Sequence, residues 1–420
     1  MATTRYKGMR VFPPDDYHRL SHILESWRKT AHSYGYQEYQ TPLIDPVDLY
    51  TDKTSDEIVR EQTYTFTDRG GRDVLLRPEI TPGASAMIAD LQEKRKVQTP
   101  LKTFSIGSVF RYERTQRGRS REHIQFNADI FGESDPWADA EVISVAFSAL
   151  TAAGLSPGDI IVRINDRRAL ETTLTDLGVA EKDRSAVTRL LDRREKTEPE
   201  DFEKEMQRCT DVSPASIDKA LTDEPKTVTT VRELLHADIN AVYDPLIVRG
   251  FDYYTGIVFE FFAADQSIMQ RSLVGGGRYD HLIESYGGSA LPAVGFGMGD
   301  TVLLDCLEAY NTQSAQHAPF VALYTDSDTH IPEAKQTAEL IRATIPTTFL
   351  GTVPKNKQSA MHKRHAGRGA SFIVRHDSSG YTVRNVGAKT DRTVRTPHEV
   401  AAAVQAKQSI MTKLRSMIQG

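Results

Sequence analysis

The chain has 420 residues, of which 26% are charged and 39% hydrophobic, and its formal net charge is −5. This length predicts two or three domains. No run of about 18 apolar residues occurs, so we expect no membrane-spanning helix and no membrane partner. Cys209 and Cys306 are far apart and lie in no CxxC motif. Together with a polar N-terminus, they predict a cytoplasmic protein with neither a disulfide framework nor a tightly held metal site.

Charge is distributed unevenly along the chain. Residues 316–420 contain 15 Lys and Arg against 7 Asp and Glu, a balance of +8, which leaves −13 for the remainder. An acidic body with a basic C-terminal part predicts that this part binds a polyanion. A domain that is basic without such a partner is the alternative.

The first half of the chain predicts helices alternating with strands. Apolar residues at helical spacing in 20–34 predict an amphipathic helix, and alternation in 63–76 predicts a β-hairpin. Further helices are expected at 83–96 and 139–153, and a further strand at 159–165.

The stretch 104–132 joins two strand-like runs through a loop that is rich in arginine. The loop contains five of them: Arg111, Arg114, Arg117, Arg119 and Arg121. Like charges repel in a purely structural hairpin, whereas guanidinium groups bind phosphate through paired hydrogen bonds. The loop therefore predicts a site for a triphosphate or a nucleic-acid end, with a solvated charged turn as the alternative.

The second half of the chain changes character twice. Residues 168–237 are charged and helix-prone and predict a helical insertion within a domain that contains β-strands. Strand character returns at 247–262 and 271–274, and 280–286 predicts a short helix. In 292–299 glycine at every second position would let the backbone approach a ligand or another chain closely. The remaining residues alternate strands and helices, which predicts a small α/β sandwich.

Four stretches together resemble the histidyl-tRNA synthetases, a family of class II aminoacyl-tRNA synthetases. They are RPEIT at 77–81, FRYER with its arginine loop, RGFDYYTG at 249–256, and GGGRYD followed by PAVGFGMG within 275–299. The resemblance implies an α/β (α+β) fold around a six-stranded antiparallel sheet. Residues 1–167 and 238–312 would form this catalytic core, 168–237 the insertion, and 317–420 an α/β anticodon-binding domain.

The resemblance also implies an activity. L-histidine would be joined to tRNA(His) through a histidyl-adenylate made from ATP with Mg²⁺, and AMP and pyrophosphate would be released. The subunits would form a homodimer through the region around Pro42. A histidine-sensing paralogue, the regulatory subunit of ATP phosphoribosyltransferase, is the alternative. That paralogue typically lacks the C-terminal domain and the arginines that this chain keeps.

Individual residues receive roles through the same resemblance. Arg111 and Arg249 would be catalytic, acting at the α-phosphate of ATP. The histidine-binding residues would be Glu79, Thr81, Gln125, Asp129, Tyr253, Tyr254 and Tyr279. ATP would contact Arg111, Glu113, Arg119, His123 and Arg249, and the tRNA acceptor end would contact Gln116 and Arg117. Candidates for the anticodon arm are Lys355, Lys357, Lys363, Arg364 and Arg368. Structural roles stay open for several of them: core packing for Tyr254 and Tyr279, a turn cap for Asp129, and backbone pairing for Gln125.

Three positions depart from the family's pattern. Val302 stands where an arginine shortly after Gly299 would stack on ATP, so another cation would have to substitute there. Asp129 is one methylene shorter than the more familiar glutamate. His123 replaces an aromatic residue that would lie against adenine.

Overall fold

The computed structural model describes residues 6–51, 62–114, 116–194, 197–247, 253–310 and 320–405. The chain divides into two compact units, Met1–Gln313 and Ser314–Gly420. No helix within the described ranges is long and apolar enough to cross a membrane.

Unit 1 is built from eleven strands and nine helices within those ranges. The strands are β1 Gln37–Glu38, β2 Ile44–Pro46, β3 Tyr64–Thr67, β4 Asp73–Leu76, β5 Leu101–Phe110, β6 Glu122–Phe131, β7 Ile160–Asp166, β8 Ala241–Tyr243, β9 Ile257–Ala263, β10 Val274–Arg278 and β11 Ala293–Gly299. The helices are α1 Pro14–Ser33, α2 Thr81–Glu93, α3 Pro136–Ala153, α4 Arg167–Asp176, α5 Glu181–Arg193, α6 Pro199–Cys209, α7 Pro214–Ala220, α8 Lys226–Leu234 and α9 Asp300–Ala309.

The main sheet has the order β1-β5-β6-β11-β10-β9-β7-β8. The six inner strands of this sheet are β5, β6, β11, β10, β9 and β7, and neighbours among them pair only antiparallel. The short strands β1 and β8 add parallel pairs at the two edges. The expected six-stranded antiparallel core is therefore confirmed, and each edge carries one additional strand.

The two faces of this sheet have different roles, which follow from the alternation of side chains along each strand. On β6, Phe126, Ala128 and Ile130 are fully buried in the hydrophobic core with residues of α1 and α3. The ring of Phe126 stacks on Trp27 of α1, with 5.5 Å between ring centroids. The alternate residues of β6 consequently face away from these helices, where they are available to a ligand.

A second, three-stranded sheet, β2-β4-β3, contains the hairpin expected at 63–76. The helix expected at 280–286 is wrong, since the chain turns there and forms only a 3₁₀ turn at Glu284–Tyr286. Gly287 follows in the left-handed region with φ +84°. Leu282 and Ile283 pack there into one hydrophobic cluster with Ala84 and Ile88 of α2, and such tertiary packing overrides a weak helical propensity.

The helical region after β7 divides between two cores. Buried residues between Leu170 and Leu221, most of them on α4–α7, form a separate hydrophobic cluster. Val228 and Val231 of α8 pack instead into the core beneath the main sheet. The helical character expected for this region is thus present, with α8 attached to the sheet.

Unit 2 has one five-stranded sheet with the order β13-β12-β14-β15-β16. Its strands are β12 Phe320–Thr325, β13 Thr347–Thr352, β14 Ala370–Asp377, β15 Gly380–Asn385 and β16 Thr390–Val394, and its helices are α10 Ile331–Arg342, α11 Lys355–Gly367 and the helical residues 397–405. β12 pairs parallel with β13 and β14, and β15 and β16 continue the sheet antiparallel. The α/β arrangement expected from alternating strands and helices is confirmed.

Candidate active site

A cavity of about 930 Å³ lies on the face of the main sheet opposite α1 and α3. Most residues singled out in the sequence line it: Glu79, Thr81, Arg111, Glu113, Arg117, Arg119, His123, Gln125, Asp129, Tyr253, Tyr254, Tyr279 and Val302. Gln116 is exposed and does not line the cavity. Arg249 lies outside the described residues.

Glycines of β11 make room for the polar side chains of β6. Gly295 pairs directly with Asp129, and a Cβ built on it would lie 1.9 Å from Asp129 Oδ1. A Cβ on Gly297 would lie 2.8 Å from Gln125 Nε2. The alternating glycines therefore serve the cavity, because any side chain at Gly295 would displace the Asp129 carboxylate.

Asp129 provides a buried acceptor at one end of the cavity. It is 1% exposed, and the hydroxyl of Tyr279 donates a hydrogen bond of 2.5 Å to its Oδ1. Its Oδ2 has no hydrogen-bond partner within the described part of the chain. Burial raises the pKa of Asp129 to about 7, although the bond from Tyr279 acts in the opposite direction. A ligand donor that reached Oδ2 would stabilise the carboxylate form.

Three tyrosine rings pack together beside this carboxylate. The ring centroid of Tyr253 lies 4.8 Å from that of Tyr254 and 5.8 Å from that of Tyr279. The Tyr253 hydroxyl also donates to Glu79 Oε2 over 3.4 Å. Tyr254 and Tyr279 are buried in a hydrophobic cluster and also line the cavity. Core packing and ligand contact are therefore compatible at these positions.

Further polar groups lie on the β6 side of the cavity. Asn127 Nδ2 donates to Thr81 Oγ1 over 3.3 Å. Gln125 Oε1 and Asn127 Oδ1 have no hydrogen-bond partner among the residues that the structure describes. Asn127 was not among the site residues expected from the sequence. It lies two residues from both Gln125 and Asp129, and this spacing places all three side chains on the same face of a strand.

The arginine loop forms the other end of the cavity. Arg111 Nε donates to the carbonyl of Pro78 over 2.9 Å, so the Arg-Pro-Glu segment orients its guanidinium. Glu113 Oε2 and Arg119 Nε form an ion pair of 2.9 Å. This end therefore presents several cations, one of which a carboxylate within the loop already holds.

His123 adjoins these cations, and burial together with the charges of Arg111 and Arg10 lowers its pKa to about 3. Its imidazole is therefore neutral near pH 7. A neutral ring can stack on a nucleobase as the aromatic residue it replaces would.

The tip of the loop is attached to α9. The backbone nitrogen of Gly118 donates to Asp305 Oδ2 over 2.8 Å, and the hydroxyls of Ser120 and Thr301 lie 3.2 Å apart. Arg117 is exposed at this tip. The loop is thus held against the helix that follows β11, although the two are far apart in the sequence.

The antiparallel sheet, the polar cavity on its open face and the arginine-rich loop that borders the cavity together form the core fold of the class II aminoacyl-tRNA synthetases. A solved histidyl-tRNA synthetase from a Nostoc species shares this fold. The TM-score is 0.76 and the identity 19%, with 97% of this chain and 100% of that chain covered.

The sequence comparisons specify the family. A family model described as histidyl-tRNA synthetase matches residues 8–301. A histidine–tRNA ligase of Thermoplasma volcanium is 38% identical over 340 residues, 76% of this chain and 78% of that protein. One from Leptospira biflexa is 34% identical over 351 residues, 78% of this chain and 80% of that protein. The chain belongs to the histidyl-tRNA synthetase family, as the motifs indicate.

Proposed function

We propose that this chain activates L-histidine with ATP and transfers the histidyl group to tRNA(His), with release of AMP and pyrophosphate. Similar proteins bear the name histidine–tRNA ligase. The observation that carries the proposal is the buried Asp129, whose Oδ2 lacks a partner among the described residues, in the same cavity as the arginine loop. One end suits an imidazole and the other a triphosphate.

Histidine recognition would depend on pairing both ring nitrogens. Asp129 Oδ2 would accept a hydrogen bond from one ring N–H, and Tyr254 would pair with the other nitrogen. A site built around such polar groups rejects analogues that leave them unpaired far more strongly than a purely apolar pocket does. Glu79, Thr81 and Gln125 would surround the α-amino group, and Tyr253 and Tyr279 would close the pocket.

Adenylation joins two anionic groups, so the site must neutralise charge at the α-phosphate. The histidine carboxylate oxygen attacks the α-phosphorus, the bond to the bridging oxygen breaks, and pyrophosphate leaves with the electron pair. Arg111 would bind the α-phosphate oxygens, where developing charge makes a fixed donor most effective. Glu113, Arg119 and His123 would hold the rest of ATP, and Mg²⁺ would arrive on its phosphates as part of the substrate. The catalytic role of Arg249 stays a prediction from the resemblance.

The tRNA would be bound in both units. Gln116 and Arg117 at the tip of the arginine loop would contact the acceptor end. In unit 2, α11 contains no acidic residue, and Lys355, Lys357, Lys363 and Arg364 on it are exposed, with Arg368 directly after it. Such a surface suits phosphate contacts along the anticodon arm, which position a nucleic acid without reading its sequence.

A second copy of the chain would cover the small sheet and complete a homodimer. Leu43 is 47% exposed, Ile44 50% and Phe66 46%, all on or beside β2 and β3. Exposed apolar residues mark contact surfaces where they form a patch, and Leu43 and Ile44 directly follow Pro42, around which the resemblance implies the dimer contact. The cytoplasm remains the expected compartment, on the evidence of cysteine usage.

The decisive test is ATP–pyrophosphate exchange with each of the twenty amino acids in the absence of tRNA, followed by charging of tRNA(His). Exchange with histidine alone, followed by charging, is the expected result. Histidine binding by calorimetry with no exchange would overturn the proposal and favour the regulatory-subunit alternative.

A further inference from the structure

Arg271, which no motif singles out, lies where the arginine loop meets Val302. A Cβ built on Gly118 would lie 2.7 Å from Arg271 Cδ and 3.3 Å from its Nε, and 3.5 Å from Val302 Cγ2. The side chains of Arg271 and Val302 thus approach the same glycine from the cavity, and both line it. The cationic side chain enters from the segment just before β10 rather than from α9.

Most other arginines that line the cavity already form ion pairs or hydrogen bonds with protein groups. Arg119 pairs with Glu113, Arg163 Nη1 lies 3.1 Å from Asp244 Oδ2, and Arg111 Nε donates to a backbone carbonyl. No acceptor for the guanidinium of Arg271 or Arg117 is found in the described part of the chain. Arg117 is exposed on the loop tip, whereas Arg271 is half-buried.

The surroundings of Arg271 disfavour its charge in the absence of an anion. Burial and the nearby charge of Arg119 lower the pKa of Arg271, and Glu113 offsets this only in part. Glu113 is also the partner of Arg119, so one carboxylate serves two guanidinium groups. Bound phosphate would supply the missing acceptors, and paired arginine–phosphate hydrogen bonds are among the stronger ones in proteins.

We infer that Arg271 binds the polyphosphate of ATP. From the segment before β10 it supplies the positive charge that an arginine at position 302 would provide in the family's pattern. The inference rests on the proposed function, because it assigns a residue to the ATP end of the same site. An arginine therefore lies beside the arginine loop in this cavity although α9 has a valine at position 302.

The test compares Arg271→Ala with the wild-type chain in histidine-dependent ATP–pyrophosphate exchange. Losing a charge-assisted contact predicts that the KM for ATP rises about tenfold or more, while the KM for histidine stays within about twofold. Arg189→Ala, on an exposed position of α5 outside the cavity, is the matched control and should leave both constants unchanged. Arg271→Lys should fall between wild type and Arg271→Ala.

A rescue variant separates ligand binding from a structural role. Val302→Arg introduced into Arg271→Ala should recover most of the lost ATP affinity, because both positions face the same glycine. An unchanged KM for ATP in Arg271→Ala would overturn the inference, and so would an equal rise in the KM for both substrates. If the wild-type chain shows no exchange, the proposed function fails. ATP binding by calorimetry, wild type against Arg271→Ala, then still tests Arg271 alone.

Discussion

The two ends of the cavity are built by different means. At the end proposed for histidine, here called the histidine end, Asp129 and Tyr279 are at most 1% exposed and lie on or directly after sheet strands. At the end proposed for ATP, here called the nucleotide end, Arg119 has 45% of its side chain exposed and lies on a loop. Strands hold short side chains at fixed positions, whereas long arginines reach a phosphate from several starting points. Selectivity therefore needs rigid, dry acceptors, whereas charge neutralisation can be supplied from elsewhere in the fold.

Departures from the family's pattern agree with this contrast. Val302 and His123, both at the nucleotide end, replace an arginine and an aromatic residue. At the histidine end the change to Asp129 retains the charge and shortens the side chain by one methylene.

The largest effect is expected for Asp129→Ala. Removing the buried acceptor leaves the imidazole N–H without a partner, so kcat/KM for histidine should fall about 10³-fold or more in ATP–pyrophosphate exchange. The KM for ATP should change little. Asp90→Ala, on the exposed side of α2, is the control. A loss below about tenfold would contradict the assignment of Asp129 to histidine recognition.

A smaller loss is expected for Arg111→Gln, which retains hydrogen-bond donors and removes the charge. Exchange should slow by about 10²-fold in kcat, because the charge acts on the transition state at the α-phosphate. Equilibrium binding of histidine, measured by calorimetry, should persist. A change confined to the KM for ATP would show that Arg111 binds ATP without taking part in the chemical step.

Asp129→Asn should stabilise the ligand-free protein in a way that depends on pH. The folded pKa is about 7, against about 4 in the unfolded chain, so the folded state holds the extra proton between these values. The contribution of Asp129 to the free energy of unfolding therefore falls as pH rises from about 4 to 7 and stays low above 7. Asparagine removes this loss and should raise the free energy of unfolding by about 1–3 kcal/mol at pH 8.

Urea unfolding at pH 5 and pH 8 measures that difference. The gain from Asp129→Asn should be larger at pH 8 than at pH 5. An equal gain at both values would mean that the pKa of Asp129 is not raised in the folded protein.

The smallest effect is expected for His123→Phe. Because the low pKa keeps His123 neutral, a phenyl ring should substitute for it with a change in the KM for ATP of about twofold or less. His123→Ala, which removes the ring, should raise this KM more. An effect of His123→Phe that grows between pH 6 and pH 8 would indicate a titrating imidazole, contrary to a pKa of about 3.

Local sequence patterns predicted the family, the strands β5, β6 and β7 and many of the polar residues that line the cavity, whereas the strand expected at 271–274 is β10 at Val274–Arg278. These features are local: alternation on β6 already places Gln125 and Asp129 on one face, and the motifs are continuous runs. The helix expected at 280–286 failed because packing of Leu282 and Ile283, not local propensity, sets the path there.

Contacts between residues far apart in the sequence follow from the folded chain. The bond from Tyr279 to Asp129 joins residues 150 positions apart, and the raised pKa of Asp129 follows from its burial in the folded chain. Arg271 carries no motif and reaches the cavity because β10 places it beside Gly118 and Val302. The order of the strands in the sheet brings these groups together. Periodicity and spacing in the sequence do not predict this order, because each strand pairing depends on the burial of all the strands together.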